Sequence, residues 1–172
     1  LEEDLPGGAD DATSLATIPE DQQDVADFNA REDGVVAGLG IAALVFHTVM
    51  GSSVSITDRV PDGTVVEPGD RVMTVSGPTR GLLTAERTAL NYASHLSGIA
   101  TLARQYVRAS GGTITILDTR KTTPLLRVLE KYAVRCGGGT NHRGSLSDQA
   151  LVKDNHVLAA GGVVPAYRAV RE

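Results

Sequence analysis

Apolar and polar positions along the 172-residue chain change rhythm several times, and each rhythm predicts an element. Ala42, Leu44, Val45, Phe46 and Val49 form a broad apolar face at helical spacing, which predicts a helix over Leu39–Met50. Asp24–Arg31 alternates weakly and Val54–Asp58 more clearly, so both read as strands. Asp10–Pro19 reads as turn-rich, and Gly34–Gly38 is a short apolar run bounded by glycines. Gly63–Val75 reads as two short strands joined at Pro68-Gly69, a type II turn, because glycine accepts φ > 0 at the third position. Its spacing is like that of biotinyl and lipoyl carrier hairpins, but those modify a lysine at the turn. The first lysine here is Lys121, so the hairpin is structural. Arg80–Ser110 is helical throughout, with a break expected near Ser97-Gly98, and Gly111-Gly112 ends it. Leu83, Arg87, Leu90, Asn91 and Ser94 share one mixed stripe of that helix. Arg87 is thus either a packed stem with a solvated head or a carboxylate clamp.

The rest of the chain is organised around Asp118–His156. Two apolar runs, Thr113–Leu117 and Ala150–Val152, read as strands. Arg120 and Lys121 follow the first and Lys153 the second. Between them, a helix is expected over Thr122–Arg135, with Thr123 as N-cap and Pro124 at its first position. Leu125, Leu129, Tyr132, Ala133 and Cys136 would line its packed face. Arg127, Glu130, Lys131 and Arg135 would line a solvated one. Gly137 is expected to close the helix in a left-handed cap. Two further glycines require either a second backbone turn or a close passage. Strand, loop, helix and strand again is the pattern of a parallel sheet, whose ligands sit beyond the carboxyl ends of its strands. Cations placed there imply an anionic ligand.

Charge sharpens this picture. Residues 1–70 carry fifteen Asp or Glu against two Arg, whereas residues 71–172 carry fourteen Lys or Arg against six Asp or Glu. The second part therefore concentrates positive potential suited to an anion. Nucleic acid is not expected as a partner, since aromatics are few and no basic run appears. No membrane span is expected either, because the longest apolar stretch, Ile41–Phe46, is far too short. The single Cys136 excludes an internal disulfide framework and fits a reducing, cytoplasmic setting. Its default role is that of a small buried hydrophobe. No zinc-type ligand spacing occurs. Both ends read as cut within longer patterns, Leu1 inside an acidic stretch and Val163–Glu172 within a helical one.

Several stretches together are specific: LLTAERTALNYASHLSGIAT (82–101), DTRKTTP (118–124), YAVRCGGGTNHR (132–143) and LVKDNHV (151–157), with ATSLATIPEDQ and REDGVVAGL before them. With these motifs the chain resembles the quinolinate phosphoribosyltransferases, over its whole length and in the family's order. The resemblance implies an α/β fold: an α+β amino-terminal domain with a helical linker over 1–111, then the first βα units of an incomplete TIM-like α/β barrel over 112–172. A full barrel takes about 250 residues, so later strands, with their acidic residues near ribose and magnesium, would lie outside this chain. The family joins quinolinate to phosphoribosyl pyrophosphate, releasing pyrophosphate and carbon dioxide and giving nicotinate mononucleotide for NAD synthesis.

By resemblance, Arg87, Thr119, Arg120, Lys121, His142, Arg143 and Lys153 bind substrate. Arg120, Arg143 and Arg87 would meet the quinolinate carboxylates with His142 beside them, and Thr119 would add a backbone or hydroxyl contact. Lys121 and Lys153 would be the catalytic point charges. Mg²⁺ would arrive with phosphoribosyl pyrophosphate, its protein ligands outside this chain. The residue matching Arg87 reaches a neighbouring subunit in the family, which implies a homodimer or higher assembly. Asp118, Asp154 and Asn155 are expected to support rather than react. The family often has Gly where Leu125 stands, and Leu is expected to start the following helix more firmly. Two rival readings remain: a pyrophosphorylase-like paralogue linked to molybdenum transport, and a non-catalytic chain that only associates. The 172 residues alone are expected to show little or no turnover.

Overall fold

The polypeptide first builds an α+β layer whose centre is a strand of valines and methionine. In the computed structural model, which describes residues 1–172, α1 (Ala12–Thr17) is followed by β1 (Gln23–Asn29), β2 (Gly34–Val35) and α2 (Leu39–Met50). Next come β3 (Ser55–Thr57), β4 (Val65–Val66), β5 (Arg71–Pro78) and the long helix α3 (Thr79–Ala109). The second part holds α4 (Arg127–Cys136), α5 (Asp154–Ala159) and α6 (Val163–Arg171).

Strand β5 lies between β1 and β3, antiparallel to both, and presents Val72, Met73 and Val75 to the core. Helix α2, predicted with these same bounds, supplies Leu39, Ala42, Val45 and Phe46 to the same core. Phe28 meets Phe46 edge to face, their ring centroids 5.8 Å apart, a favoured aromatic geometry. Strand β1 contributes only Phe28 and leaves Val25 exposed, as suits an edge strand.

Three expectations for this layer are corrected. Ala12–Thr17 is a short helix rather than a string of turns, because the Asp11 carboxylate accepts the N–H groups of Thr13 and Ser14 and caps it. The Ser14 hydroxyl donates to the same carboxylate and holds its pKa below the ordinary value. Pro68-Gly69 does turn with Gly69 at φ +96° and Asp70 N–H bonded to Glu67 O. The flanking strands do not pair with each other, however: β4 pairs with β2 and β5 with β1 and β3. Helix α3 runs unbroken through Ser97-Gly98. There the Ser97 hydroxyl and Thr101 Oγ1, one turn apart, bond the Ala37 and Val35 backbone. Ala93, Leu96, Ala100 and Ala103 pack alongside, which offsets the roughly 1 kcal/mol a helical glycine costs.

Helix α3 is about 46 Å long at the usual rise. Leu82, Ala85, Ala89 and Ala93 in its first part serve the first core, and Leu96 and Ala100 serve a second one with Val35, Ala37 and Ala133. Its alanines leave room for α4 to approach closely.

The second part has the α/β arrangement expected. Leu117 and Thr140 form a parallel bridge and α4 crosses between them, which is the repeat that builds TIM-like barrels. The barrel is not closed here. The two predicted strands are reduced to that one bridge: Thr113–Leu117 finds only Thr140 beside it, and Ala150–Val152 finds no partner. A β-branched run needs neighbouring strands to bond and cover it, and Ile114, Leu117, Leu151 and Val152 are all exposed.

Candidate functional site

The site is built from two loops and the helix between them. The first loop, Asp118–Leu126, leaves the Leu117 bridge; the second, Asn141–Gln149, leaves Thr140. Asp118 joins them. Its side chain is 7% exposed and accepts the backbone N–H of His142 at 2.8 Å and the Asn141 side-chain amide at 2.6 Å. It also forms a buried ion pair with Lys131 of α4. Asn141 in turn donates to the Lys131 backbone carbonyl at 2.8 Å. A buried carboxylate is tolerable only with such complete pairing. Its geometric effect is to tie the start of the first loop, two residues before Arg120, to the start of the second, at Asn141-His142.

Helix α4 supplies further ties. Glu130 accepts the Thr123 N–H at 3.1 Å and meets His95 of α3 at 3.0 Å. Burial pushes the Glu130 pKa up, but the bonds from Thr123 and His95 outweigh it and leave it below its ordinary value. Arg127 donates to the Thr122 hydroxyl and to the Gly144 carbonyl. Tyr132 donates at 2.8 Å to Asp62, which also accepts the N–H groups of Gly38 and Leu39 at the start of α2. Burial and that carboxylate raise the phenol above its ordinary range. Burial also raises the Cys136 thiol, consistent with a packing role and not a nucleophilic one.

Three expectations for this region are corrected. Arg127, Glu130 and Lys131 do not line a solvated face. Glu130 and Lys131 are 9% exposed, and Arg127 is half-buried with both of its bonds going to the loops. Helix α4 begins at Arg127, without Thr123 as its cap. Pro124-Leu125 forms a turn instead, with Leu126 N–H bonded to Thr123 O and Leu125 at φ +68°. Leu125 therefore occupies the position of a turn where glycine is preferred, and does not strengthen the helix start. The left-handed cap is Gly138, at φ +91°, and not Gly137. Gly138 N–H bonds Arg135 O and Gly139 N–H bonds Val134 O, a Schellman closure. Gly137 serves close packing: a Cβ there would lie 2.2 Å from Ala100 O on α3. A Cβ on Gly139 would lie 2.7 Å from the Val134 side chain. The three glycines thus have three separate reasons.

The residues expected to bind substrate divide into two sets. Thr119, Arg120, Lys121, His142 and Arg143 lie on the two joined loops. Arg120 Nε is buried without a hydrogen-bond partner. Thr119 Oγ1 accepts the Lys121 N–H, leaving its hydroxyl proton free to donate. Arg143 donates to Gln149 O at 3.1 Å, and the Gln149 amide lies 3.4 Å from His142 Nε2, so the second loop holds its own cations in place. Asp148 shapes that loop by accepting the Gly144 and Ser145 N–H groups; the Ser145 hydroxyl is the main reason its pKa is lowered. Arg87 and Lys153 form the other set. Both are exposed, Arg87 on α3 and Lys153 before α5, and no side-chain bond ties either to the two loops. Motif reading missed the helix residues behind the loops. A usable signal was present: Lys131 is one of only three lysines, and Arg127, Glu130 and Lys131 share one helical stripe.

No group of three or more His, Cys, Asp or Glu side chains is arranged to hold a metal ion. The residues present therefore do not fit a metal site. No helix is long and apolar enough to cross a membrane.

Comparison with known proteins gives a consistent result. Residues 11–97 match the profile of the quinolinate phosphoribosyl transferase N-terminal domain, and residues 99–172 that of its C-terminal domain. The carboxylating nicotinate-nucleotide pyrophosphorylase of Mycobacterium leprae is 51% identical over 99% of this chain and 61% of its own length. The chloroplastic enzyme of that name from Arabidopsis thaliana is 44% identical over 96% of this chain and 47% of its own length. The crystal structure of NadC from Streptococcus pyogenes superposes with a TM-score of 0.93 at 43% identity, over 99% of this chain and 60% of that one. The chain thus spans about three-fifths or less of the length of these relatives.

Proposed function

We propose a function from one premise: this chain belongs to the quinolinate phosphoribosyltransferase family. The function is phosphoribosyl transfer from phosphoribosyl pyrophosphate to quinolinate with decarboxylation, giving nicotinate mononucleotide, pyrophosphate and carbon dioxide. The observation that carries the reading is the joining of two cation-bearing loops through buried Asp118, with Arg120 Nε on the first of them buried and unpartnered.

Quinolinate presents two adjacent carboxylates, and a planar guanidinium donates two parallel hydrogen bonds to a carboxylate. In this reading Arg120 and Arg143 hold the carboxylates, His142 stands beside them, and Thr119 donates its hydroxyl. Arg87 completes the pocket from a neighbouring subunit of a homodimer or larger assembly. Its exposed place on α3 leaves it free to do so. Lys121 and Lys153 are exposed point charges for a carboxylate or the pyrophosphate. The pyridine nitrogen attacks the ribose anomeric carbon as the bond to pyrophosphate breaks. The carboxylate next to the ring nitrogen then leaves as carbon dioxide, and its electron pair stays on the ring carbon beside a positive nitrogen until a proton is taken up. The protein's share is positioning and electrostatic stabilisation, with no covalent intermediate. Mg²⁺ is brought by the pyrophosphate substrate, and no step here is assigned to it. A cytoplasmic setting, suggested by the lone thiol, and a division of the chain at Gly111-Gly112 belong to the same proposal.

Titration calorimetry with quinolinate is the test. Saturable heat that is abolished by Arg120→Ala and Arg143→Ala is the expected result. The absence of heat from the folded, assembled protein would overturn the reading.

A further inference from the structure

In sequence the two loops are joined through α4, and one side chain of that helix, that of Arg127, 17 residues before Gly144, bonds both. Arg127 Nε donates to Thr122 Oγ1 at 3.2 Å on the first loop, and Arg127 Nη1 donates to the Gly144 carbonyl at 3.0 Å on the second. Both acceptors are neutral, and no carboxylate lies within ion-pair distance of Arg127. Its charge therefore remains uncompensated beside the loops while its planar fork sets a distance between them. Glu130 reaches only the first loop, through Thr123. Lys131 is committed to the buried Asp118 and reaches the Arg143 carbonyl only at 3.4 Å.

We propose that Arg127 is a positioning residue that fixes the spacing between the Arg120 and Arg143 loops, and so sets selectivity for a ligand with two carboxylates over one. This rests on the diacid pocket proposed above. The physical reason is geometric. A diacid spanning both loops needs their separation held within a fraction of an ångström, whereas a monoacid engages one loop and tolerates drift. A misplacement of about 1 Å can cost as much as 100-fold where two groups must be met together.

The experiment compares the unmodified protein with Arg127→Met, which keeps the stem and removes the donors, and with Thr122→Val, which removes one acceptor. Calorimetry with quinolinate and with picolinate, the corresponding monoacid, gives two dissociation constants for each. Arg127→Met is expected to weaken quinolinate by roughly tenfold or more and picolinate far less. Thr122→Val is expected to give a smaller change of the same kind, and Thr122→Ser to restore the original ratio. Equal weakening for both ligands, or none, would overturn the proposal. Should Arg127→Met lose its cooperative thermal transition, Thr122→Val decides by the same ratio. A second readout needs no ligand: spin labels at Leu125→Cys and Leu146→Cys, both exposed positions, in a Cys136→Ser background. The distance distribution between them is expected to broaden in Arg127→Met or Thr122→Val and not in Thr122→Ser. An unchanged distribution defeats the spacing role even if the protein binds neither acid, an outcome that would instead defeat the pocket reading.

Discussion

The amino-terminal layer and the loop layer around α4 are held together by different physics. The first has a continuous core of sixteen buried residues, centred on Phe46, Met73, Val75 and Leu39. The second gives only Ala133 to a core of five shared with α3, Val35 and Ala37, and leaves Val128, Leu146, Leu158 and Val164 exposed. What it has instead is a set of partly buried polar pairings, Asp118 with Lys131, Asn141 and His142, Glu130 with Thr123, and Tyr132 with Asp62. Apolar packing is non-directional and fixes where elements lie. Hydrogen bonds are directional and fix where loop atoms point. A pocket for a charged ligand needs the second kind of order, and it is found here beneath the cations.

Substitutions can break this contrast from either side. The largest effect is expected in the apolar layer: Phe46→Ala should lower unfolding free energy by about 3–5 kcal/mol, read from urea denaturation. Asp118→Ala would strand the Lys131 charge in a buried place and is expected to cost about 3 kcal/mol. Its signature should be regional, with amide exchange speeding up in α4 and both loops while β5 stays protected. Uniform acceleration would mean that the two layers are not separately held. Gly137→Ala forces a Cβ against Ala100 O and should cost about 1–3 kcal/mol as α4 is pushed from α3. Leu125→Gly is expected to act in the opposite direction, stabilising by about 1 kcal/mol, because it relieves the left-handed backbone of an exposed leucine. The smallest effect concerns acid. The Glu130 carboxyl is held below its ordinary value of 4.5, so its contribution is whole above that pH and is lost as pH falls through the lowered value. Glu130→Gln should flatten the loss of stability as pH falls below 4.5; an unaltered slope would remove Glu130 from the account.

Much of this was legible in the residues. Helix α2 matches its predicted bounds because one apolar face at helical spacing has only one way to be buried. The turn at Pro68-Gly69 follows from the φ each residue allows. The motifs carried the family. The partners of each strand were not legible: β4 turns to β2 and β5 to β1, a choice among surfaces brought together from distant parts of the chain. Nor was the use of Arg127, Glu130 and Lys131, since a charged helical stripe looks the same whether it faces water or a pair of loops.

The sequence by itself determined the period of each element, the turns that glycine and proline permit, and the excess of positive charge in the second part, because these depend on neighbours within a few positions. Only the tertiary structure decided that Asp118 binds Asn141 and His142 from the other loop, and that Gly137 must lack a side chain where α3 passes. Those facts depend on atoms far apart in the chain meeting at distances of a few ångströms, which no local pattern specifies.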